Sequence, residues 1–342
     1  MAVITQFREK DQVLKFTLAG VDTSYANAIR RTLLSDVPCV MLHDCDISKN
    51  TTRLHNEILK QRIGCIPVYL DATKNYENLV VELEKSNTSQ EVEYVTTSDF
   101  KIKDGDTYLS DREVRAIFPP DPYTHDHIDI VRLRPSITLS SVGETIKMTC
   151  KIGISTARTN GSYNVVSTCS YSFTPDPVRA EEEWRAKGIE DPVQKENWFL
   201  LDAKRFVIEN SYDMVIESVG VYTNIDLLIS ACDILIKQLT DMSTASPPLV
   251  ESDTTMANSY DLVMEVDYTI GNMLAYELYT HMFGKRLTYV TFYKKHPHDN
   301  TSILRVAFSE ETAHEKVYEY LHSTCLMCVE VIQDIQTKIR SA

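Results

Sequence analysis

The segment Val21–Val40, VDTSYANAIRRTLLSDVPCV, predicts one helix with a defined start and end. Three consecutive residues of the types that cap helix N-termini, Asp-Thr-Ser, stand near its beginning. Neither glycine nor proline follows them until Pro38. We therefore expect a helix from about Ser24 to Ser35, and a turn immediately after it.

On a helical wheel the apolar residues of this segment form one broad arc, and two adjacent arginines fall differently with respect to it. Arg30 lies inside the arc, whereas Arg31 lies beside Asn27 on the opposite side. An arginine within an apolar arc needs a carboxylate or carbonyl oxygens, but one on the outer face can bind a partner. Arg31 is thus the stronger candidate for a partner contact. The alternative is two solvated arginines on an ordinary surface helix.

The string ANAIRRTLLSDVP resembles the N-x-L-R-R-x-L-L-x-x-x-P signature helix of the α-like subunits of cellular RNA polymerases. That family comprises bacterial α, archaeal D and the third-largest subunit of eukaryotic polymerase II. The resemblance implies a helix that builds a dimer interface while its arginine face holds the second-largest catalytic subunit. The implied interface residues are Ala26, Ile29 and Leu33, and the implied partner-binding residues are Asn27, Arg30 and Arg31.

Segments on either side of this helix resemble the same family. Val13–Ala19 alternates apolar and polar residues, which predicts a strand leading into the helix. Arg62, Ile63, Gly64, Ile66 and Pro67 match the family run H-R-(I/L)-G-x-I-P. Met214–Gly220, MVIESVG, resembles the strand and turn that return the chain to the dimerisation sheet.

The stretch between these matches predicts an inserted, β-rich domain. Alternating runs such as LVVELE and EVEYVT indicate strands, and residues 128–155 resemble the strand, turn and strand of the family's inserted domain. Some relatives hold zinc or an iron–sulfur cluster there on four cysteines. This chain has no cysteine between Cys65 and Cys150, so we predict neither a metal site nor a cofactor.

A second copy of the opening pattern follows near the C-terminus. VDTSYANAIRRTLL at 21–34 aligns without gaps to VDYTIGNMLAYELY at 266–279, with a strand-like run before each. This half resembles the archaeal L subunit and the eleventh subunit of eukaryotic polymerase II. Ala275 and Tyr276 replace the arginine pair, so only the first copy keeps it. The dimer-interface residues predicted in the second copy are Gly271, Asn272, Leu274 and Leu278.

These patterns predict an α+β chain, an RNA polymerase α-like dimerisation domain with a β-rich inserted domain, fused to a second, smaller L-type dimerisation domain. A discontinuous D-like domain covers 1–40 and 196–241, the insert 41–195, a linker 242–259 and the L-like domain 260–342. Long buried helices are expected at Ile225–Leu239 and Glu311–Ile339, from their apolar periodicity. Arg179–Lys187 is expected to be a short solvated helix.

Two other classes of function leave weaker signals. Asp44, Asp46, His125 and His127 are residue types that bind metals, and they define a metal-dependent enzyme as the competing hypothesis. A nucleic-acid-binding module is disfavoured, because a net charge of −14 offers no broad phosphate-binding face.

The remaining histidines and cysteines are interpreted as structural. His296-Pro297-His298 is predicted to be an ordered turn. The eight scattered cysteines, including Cys325 and Cys328, are predicted to be reduced, mostly buried thiols.

The expected function is therefore assembly. The chain is predicted to be a non-catalytic subunit of a DNA-directed RNA polymerase, a scaffold for transcription that seats the largest and second-largest subunits. Small zinc-bearing subunits are further expected partners. The chain is expected to contact DNA only indirectly, through the complex, and to bind no membrane. A natural fusion of the two halves resembles the arrangement in large DNA viruses that encode their own polymerase. This resemblance predicts that the protein is located in the cytoplasm of infected cells or in the virion, with the nucleus as the alternative.

Overall fold

The computed structural model describes residues 2–137 and 142–342, which divide into two compact units. The first unit contains the described part of Met1–Leu34 together with Val166–Ser218 and Thr223–Ala342. The second contains the described part of Ser35–Val165 together with Val219–Tyr222. In the order of the chain, the second unit is thus an insertion that follows the first helix.

Fifteen strands and eight helices occur in the described residues. The strands are β1 (Val3–Lys10), β2 (Val13–Ala19), β3 (Cys39–Asn50), β4 (Leu79–Ser86), β5 (Glu93–Thr96), β6 (Lys101–Asp104), β7 (Thr107–Tyr108), β8 (Asp129–Leu133), β9 (Thr145–Ser155), β10 (Val166–Pro175), β11 (Val207–Ser218), β12 (Leu249–Glu251), β13 (Ser259–Met264), β14 (Leu287–Tyr293) and β15 (Ser302–Phe308). The helices are α1 (Thr23–Ser35), α2 (Asn56–Gly64), α3 (Asp111–Ile117), α4 (Pro177–Ala186), α5 (Pro192–Leu200), α6 (Asn224–Thr244), α7 (Tyr268–Met282) and α8 (His314–Ser341).

The first unit contains two antiparallel sheets with the same topology. One has the strand order β1-β2-β11-β10, and the other has the order β12-β13-β15-β14. In each, two strands lead into a helix, two further strands follow, and a long helix ends the series. Strand for strand and helix for helix, β12 to α8 therefore repeat the elements of the first sheet, apart from α4, α5 and the inserted unit.

The first helix of each repeat begins beside an aspartate, and the two aspartates align. The Asp22 carboxylate accepts a hydrogen bond of 2.8 Å from the Ser24 N–H at the start of α1. The Asp267 carboxylate accepts one of 2.7 Å from the Tyr268 N–H at the start of α7. Both side chains satisfy backbone donors that the first helical turn leaves without partners, and both carry negative charge at the positive end of the helix dipole.

The last helices of the two repeats, α6 and α8, pack against each other in antiparallel directions. The Gln336 side chain donates to the Asp233 carboxylate at 2.7 Å, and the His322 ring lies 3.1 Å from the Ser243 carbonyl oxygen. Seven residues of α6 and nine of α8 are buried, which confirms the predicted wide apolar faces. Among the described helices none has both the length and the apolar character that crossing a membrane requires.

The second unit contains a five-stranded sheet, β3-β9-β4-β6-β7, and a two-stranded pair, β5-β8. Its hydrophobic core lies between these strands and the helices α2 and α3, and includes Leu59, Ile63 and Leu83. This confirms a β-rich insert with strands β8 and β9 near its end. The turn predicted between those two strands lies partly outside the described residues.

The boundary of this insert differs from the predicted 41–195. The main segment of the compact unit runs from Ser35 to Val165. Strand β10 belongs to the first unit because it pairs with β11 in the first sheet. Strand β10 alternates like the strands of the insert, so its pattern alone could not assign it. Helix α4 (Pro177–Ala186) covers most of the predicted Arg179–Lys187. It is solvated on one side only, because Ala180 and Trp184 are buried against α5, which was not predicted.

The segment 242–259 is less irregular than a linker. Helix α6 continues to Thr244, and β12 pairs with β13 at the edge of the second sheet. Two prolines precede β12. An edge strand tolerates nearby proline, which has no backbone N–H, because the outer side of the strand forms no hydrogen bonds with another strand. Only residues 245–248 and the loop between β12 and β13 therefore connect regular elements here.

Candidate functional site

The apolar residues predicted for a dimer interface on α1 are buried in the first unit. Ala26, Ile29 and Leu33 are each at most 1% exposed. On α7, Leu274 and Leu278 are buried to a similar degree. These five side chains contribute to the packing of the helices and sheets of the two repeats, and burial of their apolar area stabilises the unit.

The two other residues predicted for this interface lie elsewhere. A Cβ atom at Gly271 would lie 2.2 Å from the Phe292 ring, so this glycine allows α7 to approach β14 of its own sheet. Asn272 is exposed, and the structure does not bury it against α1 as predicted. Both residues were assigned to the interface from the family motif. A helix that packs on a sheet, however, turns one face to the strands of its own sheet, and Gly271 lies on that face.

The structure does not leave Arg31 on a free outer face, as the helical wheel predicts. Its guanidinium forms an ion pair with the Asp267 carboxylate and donates a hydrogen bond of 2.8 Å to the Thr269 hydroxyl. Burial alone would raise the pKa of Asp267, but the Tyr268 N–H and the Arg31 charge hold it below its usual value. Arg31 thus joins the helix of the first repeat to the helix start of the second.

Arg30 forms hydrogen bonds within its own helix. Its guanidinium donates twice to the Asn27 side-chain oxygen, at 2.9 and 3.1 Å. Arg30 also lies near Cys169 of β10, where burial raises the thiol pKa to about 12 against the opposing effect of the arginine charge. Asn27 and Arg30 are both half-buried, so part of each side chain remains at the surface.

A buried polar contact joins the first turn of α1 to the second half of α7. The Tyr25 hydroxyl donates a hydrogen bond of 2.5 Å to Glu277 Oε1, and both residues are at most 6% exposed. The second carboxylate oxygen of Glu277 lies 3.1 Å from His281 Nε2. Burial, the Cys328 thiol and Glu277 all raise the pKa of the Tyr25 phenol, so this group stays protonated and serves as the donor.

Near the start of α1, a hydrogen bond joins two residues of the first repeat, and Tyr276 of the second repeat lies close to it. In the alignment Tyr276 corresponds to Arg31, and Asp22 corresponds to Asp267. The Tyr212 phenol bonds the Thr23 hydroxyl at 2.7 Å, and burial together with the nearby Asp22 and Tyr276 raises its pKa. Tyr276, at the α7 position that corresponds to Arg31, thus lies near enough to Tyr212 to influence its pKa.

The residues of the competing metal hypothesis do not form a site. Asp44 and Asp46 lie on β3, whereas His125 and His127 lie in the loop before β8. Within residues 2–137 and 142–342, no group of three or more His, Cys, Asp and Glu side chains is placed to hold a metal ion. His296 and His298 occupy the turn between β14 and β15, as predicted, with ring centres 5.0 Å apart.

The thiols of Cys325 and Cys328 belong to the core, as their helical spacing predicts. Both are fully buried on α8, and burial raises the pKa of each to about 12. Three contact residues were not predicted from the sequence: Tyr25, Glu277 and Asp267. Glu277 carried a signal, because a carboxylate three residues after Leu274 stands on the apolar side of its helix and needs a partner there.

Comparison with known proteins identifies the family. Residues 15–239 match the model of the RNA polymerase Rpb3/Rpb11 dimerisation domain. The chain is 24% identical over 259 residues to the DNA-directed RNA polymerase subunit Rpo3 of Methanosphaera stadtmanae, which covers 67% of this chain and 93% of that protein.

Eukaryotic relatives match over a shorter range. Identity to the DNA-directed RNA polymerases I and III subunit rpac1 of Dictyostelium discoideum is 26%, over 49% of this chain and 51% of that one. Identity to the human subunit RPAC1 is 27%, over 49% of this chain and 54% of that one. The chain thus spans about half the length of these two relatives. Because the family model covers most of its residues, the chain belongs to the family of proteins with an RNA polymerase Rpb3/Rpb11 dimerisation domain.

Proposed function

We propose that this chain is a non-catalytic subunit of a multisubunit DNA-directed RNA polymerase and acts as its assembly platform. The family model and the polymerase subunits among its relatives support this role. The described residues offer no cluster of metal-binding side chains for independent chemistry. Catalysis is assigned to the partners that the chain holds together.

We further propose that β12 to α8 form an L-type dimerisation domain, paired with the D-like domain of the same chain as an intramolecular heterodimer. The family match ends at residue 239, before this second repeat begins. The observation that carries the proposal is the identical strand order of the two sheets in one compact unit. The contacts of Tyr25 with Glu277 and of Arg31 with Asp267 support it, because each joins one repeat to the other.

Fusion of the two halves has a simple physical advantage. A flexible connection makes their pairing intramolecular, with an effective concentration on the order of millimolar. It also fixes their ratio at one to one. The regular structure of β12 shortens the irregular connection to residues 245–248, which keeps the second repeat near the end of α6.

The proposed partners are the largest and second-largest polymerase subunits, together with small zinc-bearing subunits. The two repeats form a pseudo-symmetric pair whose outer helix faces differ in sequence. A different large partner can therefore bind on each side. The part of Asn27 and Arg30 that remains at the surface supports a contact there. Arg31 is proposed to act less directly, by fixing the position of α7 beside this surface.

This assembly role is tested by co-expressing the chain with the two large polymerase subunits and purifying it by an affinity tag. The wild type is expected to retain both subunits, and Arg30→Glu to lose the second-largest one. Arg115→Glu, an exposed charge reversal on α3, is the matched control and should retain both. Circular dichroism of each variant confirms folding. Failure of the wild type to retain either subunit would overturn the proposal.

The source context is also proposed from the fused architecture. We infer a large DNA virus that encodes its own polymerase, with the chain in the cytoplasm of infected cells or in the virion. The nucleus is the alternative compartment. Immunofluorescence of infected cells, with mass spectrometry of purified virions, distinguishes these places.

A further inference from the structure

Two cysteines of the inserted unit lie in direct contact across its larger sheet. Cys45 is on β3 and Cys150 on β9, and their Sγ atoms are 2.7 Å apart. This distance is far shorter than the contact of two unrelated sulfur atoms, and both residues are free thiols. The two strands are antiparallel neighbours over most of their length, so the sheet itself holds the pair together.

A β-bulge on β3 directs Cys45 toward its partner. His43 pairs with Lys151 and Asp46 pairs with Thr149, so two residues of β3 face Cys150 alone. The first of them, Asp44, has φ of 47°, a left-handed conformation that turns the chain locally. Residues that face each other in antiparallel strands have Cα atoms about 4.5–5.5 Å apart, which lies within the range of disulfides.

The two thiols differ in accessibility. Cys150 is 1% exposed within the core of the unit. Cys45 is half-buried and lines an open groove with Lys60 and Cys65. The hydrogen bond from Cys150 and the Lys60 charge hold the pKa of Cys45 below its ordinary value, whereas the contact with Cys45 and burial raise that of Cys150. Cys45 therefore has the character of an attacking thiolate and Cys150 that of a resolving thiol.

We propose that Cys45 and Cys150 form a reversible, oxidant-responsive disulfide, with a hydroperoxide as the oxidant. The Cys45 thiolate attacks the peroxide, an S–O bond forms, the O–O bond breaks, and an alkoxide or hydroxide leaves and takes up a proton from water. The Cys150 sulfur then attacks the sulfenic acid, an S–S bond forms, the S–O bond breaks, and water leaves with the Cys150 proton. The two sulfurs lose two electrons and the peroxide gains them.

The resulting bond would join β3 to β9 at the bulge. In a reducing compartment the pair rests as two thiols, and a dithiol reductant returns it to that state. Oxidation is expected to raise the midpoint of thermal unfolding of the inserted unit, because the cross-link restricts its unfolded chain. It leaves the contacts between the two repeats unaltered, since both cysteines belong to the inserted unit.

The test treats the full-length chain with hydrogen peroxide and counts its thiols under denaturing conditions. The wild type, which has eight cysteines, is expected to lose two thiols and to yield one peptide pair linked through Cys45 and Cys150. Cys150→Ser should instead accumulate a sulfenic acid at Cys45, trapped by dimedone. Cys45→Ser should keep its seven remaining thiols, including Cys150, under the same mild treatment.

Cys65→Ser is the matched control, because Cys65 is an exposed thiol that lines the same groove. It should form the Cys45–Cys150 link at the wild-type rate. The proposal is overturned if the wild type shows no such link while Cys65 is oxidised. It is equally overturned if the link joins Cys45 to Cys65. Both readouts use the wild type, so they stand even if a serine variant folds poorly.

Discussion

The Tyr25 hydroxyl on the first helix donates a buried hydrogen bond of 2.5 Å to the Glu277 carboxylate on the corresponding helix of the second repeat. The bond joins unlike residues, because Tyr25 aligns with Ile270 and Glu277 aligns with Thr32. Two copies of the second repeat would place each Glu277 opposite Ile270. The Glu277 oxygen that accepts from Tyr25 would then lack its donor, which costs about 1–3 kcal/mol, so this contact favours the pairing of unlike repeats.

Replacing Tyr25 by phenylalanine removes the donor and keeps the ring. We expect Tyr25→Phe to lower the free energy of unfolding of the first unit by about 1.5–3 kcal/mol, the usual contribution of a hydrogen bond to a charged group. Chemical denaturation monitored by circular dichroism measures the change. Glu277→Gln should recover part of the loss when combined with Tyr25→Phe, because a neutral side chain is less costly to leave without its donor.

The control for this variant is Tyr279→Phe on the same helix. Tyr279 is 54% exposed and its ring stacks on Phe283, a contact that phenylalanine preserves. Its free energy of unfolding should change by less than about 0.5 kcal/mol. An equal loss in both variants would show that the Tyr25 hydroxyl has no special role.

The ion pair of Arg31 with Asp267 predicts a defined pH dependence. The folded chain lowers the pKa of Asp267, so its contribution to stability is present above the unfolded pKa of about 3.9 and is lost as pH falls through the folded pKa. Asp267→Asn keeps an N-cap side chain but removes the charge. We expect it to be less stable than the wild type by about 0.5–1 kcal/mol at pH 7, because the pair is partly exposed.

Thermal unfolding at a series of pH values from 7 to 3 tests this expectation. The difference between wild type and Asp267→Asn should shrink as the solution becomes more acidic than the unfolded pKa of about 3.9. Comparing the two proteins removes the effect of every other carboxylate. A difference that stays constant with pH would contradict a contribution from the Asp267 charge.

The close approach of α7 to β14 predicts that Gly271 tolerates no side chain. Gly271→Ala would place a methyl group 2.2 Å from the Phe292 ring, and we expect a loss of about 1–3 kcal/mol from overpacking. Gly161→Ala is the control, because no atom lies within 4 Å of a Cβ atom at that position. Denaturation curves of the two variants should separate clearly. Equal stability would mean that the helix can move away from the strand without loss.

The sequence could predict elements whose pattern is local. Strand β2 at Val13–Ala19, the helix start near Thr23, and the long helices α6 and α8 follow from alternation, capping residues and apolar spacing. The capping role of Asp22 was one of three that the run Asp-Thr-Ser allowed, and the equivalent role of Asp267 follows from the structure.

Features that depend on distant segments could not be read in the same way. The wheel placed Arg31 outside because it considers one helix, but the second repeat brings Asp267 to that side. Strand β10 was assigned to the insert because its pairing with β11 is not visible in its own alternation. The bulge that faces Cys45 toward Cys150 joins residues more than one hundred positions apart, which no local pattern reveals.

The most direct test of the proposed intramolecular pairing is to cut the chain between its two repeats. A protease site inserted between Ala245 and Ser246, both exposed, separates α6 from β12 without removing either element. After cleavage, size-exclusion chromatography with light scattering should show both fragments eluting together at the mass of one uncut chain. Separation of the fragments under native conditions would contradict the account, because the two repeats would then be held by the connection alone.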